Sequence, residues 1–263
     1  MTTTSGLALL PRASLIVGPL RGTSFSASYG KGIRSVDPSY ITQDVRAPFA
    51  DIVAYEAGAS YTGPLAGALL SARTALFRTV VDKDLIFNQT AGRNVIGAGT
   101  TRSGWLASLR FTGAFFDQAA NLTLVRATYN DDGNAVAYVP GVVLRSDTAV
   151  HGPLPLRWTM SGGTPLQGAV GIGLTYVGPR PLPYGQVSGD ILVVDSSVGL
   201  TWDSYQVRLV ATNLLDRRYR LGEYDYASDF HSQAQPTLVP LRAFTAGAPR
   251  GLFATFAVTL GGT

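Results

Sequence analysis

The chain contains no cysteine, two histidines and two methionines in 263 residues. The missing thiols exclude a disulfide framework and any thiolate metal site. Charged residues are scarce too, at 14%, where an ordinary soluble domain carries about 25%. Hydrophobic residues reach 46%, yet no apolar run approaches the roughly 18 residues of a membrane-spanning helix. The net charge of +4 is small and the arginines are scattered rather than striped. That leaves no electrostatic footprint for nucleic acid.

Catalytic and metal motifs are missing as well. There is no nucleophile elbow or oxyanion loop and no phosphate-cradling glycine loop. His151 and His231 are far apart in the sequence. Asn130-Asp131-Asp132-Gly133-Asn134 has a faint likeness to a calcium loop, but the bidentate acid is not at the required distance. It reads as a glycine turn between strands. Asp225, Asp229 and His231 carry no regular ligand spacing. No enzymatic activity, cofactor or metal is expected. The start, Met1-Thr2-Thr3-Thr4-Ser5 with Leu7 to Leu10 cut short by Pro11-Arg12, is not a secretory signal.

What the chain has in quantity is period-two alternation, punctuated by 30 glycines and 15 prolines. Phe25, Ala27 and Tyr29 alternate with Ser24, Ser26 and Ser28. Val53, Tyr55, Ala57, Ala59 and Tyr61 alternate with Glu56, Gly58, Ser60 and Thr62. Residues 170–176, 192–202, 205–211 and 252–260 repeat the pattern, and weaker versions lie at 12–18, 67–82, 103–112, 121–130 and 142–150. This period is that of strands with two different faces. About eleven strands result, and no long amphipathic helix.

Several of these strands run to about 10 residues or more, enough to cross a bilayer at a tilt; sandwich strands are nearer 5–6. Short turns are expected at Pro19 to Gly22, Gly63-Pro64, Phe116 to Gln118 and Trp202 to Ser204. Longer polar loops are expected at 34–51, 84–101, 131–141, 178–190 and 216–249, with residues 152–167 unusually long for the short-turn side. Such asymmetry suits an antiparallel transmembrane β-barrel in an outer membrane. Eleven is an odd count, so the first and last strands point the same way. Left open, their edges would put unpaired backbone groups into lipid at several kcal/mol each. The expected architecture is therefore all-β, about 11 strands, resembling the second half of a 22-stranded barrel. Residues 1–10 form an unstructured or truncated start, and 11–263 the barrel part.

On this pattern Tyr29, Tyr55, Tyr61, Trp105, Tyr129, Tyr176 and Trp202 fall near strand ends on the apolar face, as an aromatic girdle. Glu56, Arg78, Arg126, Arg145, Asp147, Asp195 and Arg208 fall on the polar, lumen-facing side. The long-loop residues Arg46, Arg93, Tyr184, Tyr224, Tyr226 and His231 are ligand-contact candidates, because exposed aromatics with Arg and His compose recognition surfaces.

Asn213-Leu214-Leu215-Asp216-Arg217-Arg218-Tyr219, followed by Ala248-Pro249-Arg250 and a final strand, resembles the C-terminal signature of TonB-dependent outer-membrane receptors. Ser26 to Ser35, Ala54-Tyr55-Glu56-Ala57-Gly58 and Ala75 to Asp84 are similar to further barrel strands of that family. The likeness runs from about Pro11 to Leu260. It departs at Leu106, where the family often has Glu, and at the non-aromatic end, Leu260 followed by Gly261-Gly262-Thr263.

The resemblance implies a multi-pass β-barrel in a Gram-negative outer membrane, touching membrane lipid and lipopolysaccharide. It implies energised uptake of a scarce small molecule or metal chelate, such as a ferric siderophore or cobalamin. It also implies partners beyond this sequence: an N-terminal barrel half, a plug, and TonB reached only through that plug. Two other readings stay open here. One is a self-contained or homodimeric outer-membrane pore for passive diffusion; the other is a soluble β-rich binding module.

Overall fold

A computed structural model of the chain describes residues 8–35, 49–88, 93–155, 165–227 and 240–260. Its strands are β1 (Arg12–Leu20), β2 (Thr23–Ser35), β3 (Phe49–Leu65), β4 (Ala68–Val81), β5 (Leu85–Asn88), β6 (Arg93–Ile96), β7 (Thr100–Thr112) and β8 (Phe116–Tyr129). They continue as β9 (Val142–Pro153), β10 (Gln167–Val177), β11 (Ile191–Trp202), β12 (Tyr205–Thr212), β13 (Arg220–Ala227), β14 (Pro240–Ala246) and β15 (Gly251–Val258).

Eleven of these strands form one sheet in the order β1-β2-β3-β4-β7-β8-β9-β10-β11-β12-β15, with every neighbouring pair antiparallel. They correspond one for one to the periodic segments of the sequence. Two extra hairpins, β5–β6 and β13–β14, stand apart from the sheet inside the long connections. The sheet is not closed: β1 and β15 are its two edges and do not pair with each other. Ten antiparallel steps separate those edges, so both strands run in the same direction.

Two expected turns are displaced. Gly63 and Pro64 lie inside β3, opposite Leu70 and Leu69, and the reversal falls at Ala66-Gly67. Both turn residues have positive φ, 51° and 79°, as a two-residue hairpin of the primed type requires. Pro64 is tolerated because its ring nitrogen faces the side where β2 has already ended; the last bond there is Thr62 N–H to the Gly22 carbonyl. The outward Pro64 carbonyl accepts from the Tyr61 hydroxyl at 3.3 Å. Phe116, Asp117 and Gln118 likewise belong to β8, and the turn precedes them at residues 113–115. The strands also reach further than their alternation does, β2 to Ser35 and β3 back to Phe49.

Directly paired residues share a face of the sheet, so the register assigns every side chain to one side. One face carries Leu15, Phe25, Tyr29, Tyr55, Leu76, Trp105, Leu109, Leu122, Ile172, Leu200, Val207 and Phe256. The other carries Ser26, Glu56, Ser60, Arg73, Arg102, Asp147, Ser197 and Arg208. Among the described residues no second layer covers the apolar face: Leu76 is 63% exposed and Phe256 65%. A soluble sandwich would bury that face. Strands β4 and β8 have 14 residues each, roughly 48 Å at ~3.4 Å per residue. That length spans a ~30 Å hydrocarbon layer even at 45° of tilt.

The same register corrects three face assignments. Arg78 stands opposite Tyr55 and Ser103, and Arg126 opposite Ser103. Both arginines are therefore on the apolar face, away from Glu56, which pairs with Phe77. Tyr129 is opposite Thr100 and turns to the polar face. The cause is local: Leu76-Phe77 in β4 and Leu124-Val125 in β8 are apolar on both parities, so alternation alone does not orient these strand ends. Glu56, Asp195 and Arg208 do lie on the polar face.

Candidate functional site

The polar face is laced by ion pairs and side-chain hydrogen bonds between non-adjacent residues. Glu56 Oε1 accepts from Arg73 Nη2 at 3.0 Å. Asp117 and His151 meet at 3.0 Å across β8 and β9. Arg145 binds Asp147 through two nitrogens, donates to the Thr175 hydroxyl at 2.6 Å, and sits 3.6 Å from Asp195. This chain crosses β9, β10 and β11 over Gly173, where a Cβ would come within 2.8 Å of the guanidinium. Arg110 and Arg208 join these groups around an open cavity of about 550 Å³. At the top of β7, the buried Asp84 carboxylate accepts from Thr100 at 2.8 Å, Arg34 at 3.0 Å and Arg102 at 2.5 Å.

Above β12 the chain turns through the Asn213 to Tyr219 segment. Asn213 is buried in a left-handed conformation, φ 48°. Its Nδ2 donates to the carbonyls of Arg217 and Ala248 at 3.0 and 3.1 Å, and its Oδ1 accepts the Arg217 N–H at 3.0 Å. Its own N–H donates to Asp195 at 3.0 Å. The Tyr219 hydroxyl accepts the Ala248 N–H at 3.2 Å, and its ring fills the space where a Cβ on Gly247 would lie, 2.3 Å away. The two halves of the sequence signature, separated by some thirty residues, are thus one packed unit that joins β12 to β15.

The loops beyond this unit are tied together. Glu223, on β13, is 2% exposed. Its carboxylate accepts the Gly189 N–H at 2.7 Å and pairs with Arg220 at 2.9 Å and Arg242 at 3.5 Å. Burial alone would raise the Glu223 pKa. The Arg220 and Gly189 hydrogen bonds and the two arginine charges outweigh that and hold it below its ordinary value. Arg217 clasps Asp190 at 2.9 and 3.2 Å, and Arg242 donates to the Val187 carbonyl at 2.8 Å. Tyr138 brings in the 130–141 connection, its ring tilted against that of Tyr224 at 5.9 Å and its N–H donating to the Pro181 carbonyl at 2.8 Å. Three connections form one cap.

Of the ligand-contact candidates, Tyr184 and Tyr224 sit exposed on this cap. Tyr184 is on a short 3-10 turn, Pro183–Gly185, and Tyr224 on β13. Arg93 and Tyr226 are placed by backbone only, in β6 and β13; Arg46 and His231 lie outside the described residues. The periodicity reading missed Glu223, whose signal is an acid three residues from Arg220 in a loop that also supplies Arg242. Among the described residues no group of three or more His, Cys, Asp or Glu could hold a metal ion.

A family model described as "TonB dependent receptor-like, beta-barrel" matches residues 2–214. The chain belongs to that family. Its members are receptors and transporters of the Gram-negative outer membrane rather than enzymes. No curated protein sequence matches the chain significantly. Among solved structures it is similar to the ferric yersiniabactin uptake receptor FyuA from Yersinia pestis, with TM-score 0.68 and 16% identity, covering 95% of this chain and 37% of that one. The ferric citrate transporter FecA gives TM-score 0.69 at 13% identity, covering 95% and 38%. FpvA of P. aeruginosa, solved bound to heterologous pyoverdines, gives 0.66 at 16%, covering 94% and 32%. At such identities the likeness concerns the fold. The chain spans about a third of the length of each of these receptors.

Proposed function

We propose that this chain is part of the wall and loop cap of a TonB-dependent outer-membrane receptor that takes up a scarce small molecule or metal chelate. The observation that carries the reading is the division of the sheet: a bare apolar face for lipid, an ion-paired polar face for a lumen, and one cap of three connected loops at a single end. Tyr184 and Tyr224 on the cap meet the ligand first, and the charged wall at Arg145, Asp195 and Arg208 lines its way in.

The barrel is completed by strands beyond those of this sheet. Since β1 and β15 run in the same direction, self-closure needs a parallel seam. Two copies of the chain, inserted the same way up, need two such seams. An odd number of further strands, beginning and ending against the current of β1 and β15, makes every pair antiparallel and the total even, as in bacterial single-chain barrels. The soluble-module reading is disfavoured by the uncovered apolar face. TonB enters only through a plug supplied from outside the sheet.

The test is uptake by whole cells with and without the intact coding sequence, using labelled ferric chelates and cobalamin. Saturable uptake that a protonophore abolishes, and that disappears with the gene, supports the reading. Uptake that rises linearly with concentration and ignores the protonophore belongs to a passive pore and contradicts it.

A further inference from the structure

We propose that Lys31, Arg78 and Arg126 form a cationic site on the lipid-facing side of the rim, and that it binds the phosphates of a phosphorylated glycolipid in the outer leaflet. The inference rests on the outer-membrane reading above. Its starting point is the register. Tyr29, Tyr55, Arg78, Ser103 and Arg126 form one cross-strand row on the apolar face, and Lys31 lies one row nearer the long loops, opposite Val53.

The placement is selective. Charged strand residues occur along the whole polar face, from Arg34 and Arg102 at one end to Arg110 and Asp117 at the other. On the apolar face of the eleven strands they are Lys31, Asp51, Arg78 and Arg126, all at the long-loop end. Below them come Leu76, Trp105 and Leu124 in one row, then an apolar surface down to Leu70 and Phe111. Arg78 lies 8 residues above Leu70 on β4, about 27 Å along the strand and roughly 20 Å in height at a 40° tilt. That is the upper boundary of the apolar band.

None of the three cationic side chains has an ion pair or hydrogen bond among the described residues. The acids on this side are Asp51 and Asp82, beyond the last row, with the Asp82 carboxylate accepting the Asp51 N–H at 2.7 Å. A cation at the hydrocarbon boundary is stabilised by reaching headgroup anions, and the guanidinium fork matches phosphate oxygens. Arg78 and Arg126 are two strands apart, about 10 Å, so each addresses its own phosphate. The apolar row directly beneath selects a ligand whose acyl chains continue downward, which free phosphate lacks.

Trp105 stands between the two arginines, one row lower, and serves as a reporter. The protein is extracted from outer membranes in mild detergent, with Trp158→Phe and Trp202→Phe so that Trp105 fluorescence is read alone. It is then titrated with diphosphoryl lipid A in mixed micelles, with dephosphorylated lipid A, and with inorganic phosphate. Binding of the diphosphoryl form, ~30-fold weaker in R78Q/R126Q, ~5-fold weaker in K31Q and largely kept in R78K/R126K, is expected. Equal affinity for the dephosphorylated lipid, saturation by inorganic phosphate alone, or less than a twofold change in R78Q/R126Q overturns the proposal. Failure of the protein to fractionate with membranes at all is a different result: it removes the outer-membrane reading on which the proposal stands.

Discussion

The Glu223 carboxylate accepts the backbone N–H of Gly189 at 2.7 Å, joining two loops whose residues are 34 apart in sequence. The same carboxylate pairs with both Arg220 and Arg242, so this buried acid is one of the main ties of the cap.

Glu223→Gln keeps the shape but removes the charge, and charge-assisted hydrogen bonds contribute about 1.5–3 kcal/mol each. Hydrogen exchange at the Gly189 amide is expected to quicken by at least tenfold in the variant, with exchange in β9 to β11 unchanged. Exchange that does not move shows that the cap is held elsewhere.

The pH dependence follows from the lowered Glu223 pKa. A depressed folded-state pKa gives stability that is present above the unfolded value and lost as the pH falls through the folded one. Loop protection is expected to stay level from pH 7 to about 5 and to fall below the ordinary value of 4.5, and Glu223→Gln is expected to lack that step. Limited proteolysis of the cap across this range reads it directly.

Asn213→Ala removes three side-chain hydrogen bonds and leaves an alanine at φ 48°. Together these cost about 2–4 kcal/mol. Asn213→Gly relieves the backbone while losing the same bonds, so its urea midpoint is expected between those of the parent and the alanine variant. A glycine variant no better than alanine indicates that the left-handed turn carries no strain.

Gly104 and Gly133 give a contrast between space and backbone freedom. A Cβ at Gly104 would lie 2.1 Å from the Leu124 carbonyl oxygen and 2.8 Å from the Phe77 ring; at Gly133, φ 71°, it would meet nothing. Gly133→Ala is expected to cost about 1 kcal/mol and Gly104→Ala to cost more, about 1–3 kcal/mol or above. Thermal unfolding in detergent ranks the two, and the reverse order contradicts the packing described here.

The strands are legible in the sequence because a two-faced sheet needs alternation, and 23–29 and 55–62 alternate without a break. Where both parities are apolar, as at Leu76-Phe77 and Leu124-Val125, the sequence is silent about orientation. Only pairing to Tyr55 and Ser103 decides that Arg78 and Arg126 face outward. Gly63-Pro64 looks like a turn because a proline past the end of β2 costs no ladder bond, and Asp117 and Gln118 look like one because their polar side chains find their partners across strands, at His151 and Ser146 of β9. The hairpins in the loops have no alternation long enough to stand out. The joint at Glu223 depends on contacts with Gly189 and Arg242, which local spacing does not encode.

The central claim is that the two faces of the sheet meet different solvents. The absence of cysteine makes single-cysteine spin labelling clean: Leu76, Leu200 and Phe256 on one face, Ser60, Ser197 and Thr255 on the other. In membranes, labels at the first three positions are expected to relax faster with oxygen and slowly with a water-soluble nickel chelate, and labels at the last three to do the opposite. Equal access to the nickel chelate on both faces would contradict a membrane-spanning wall.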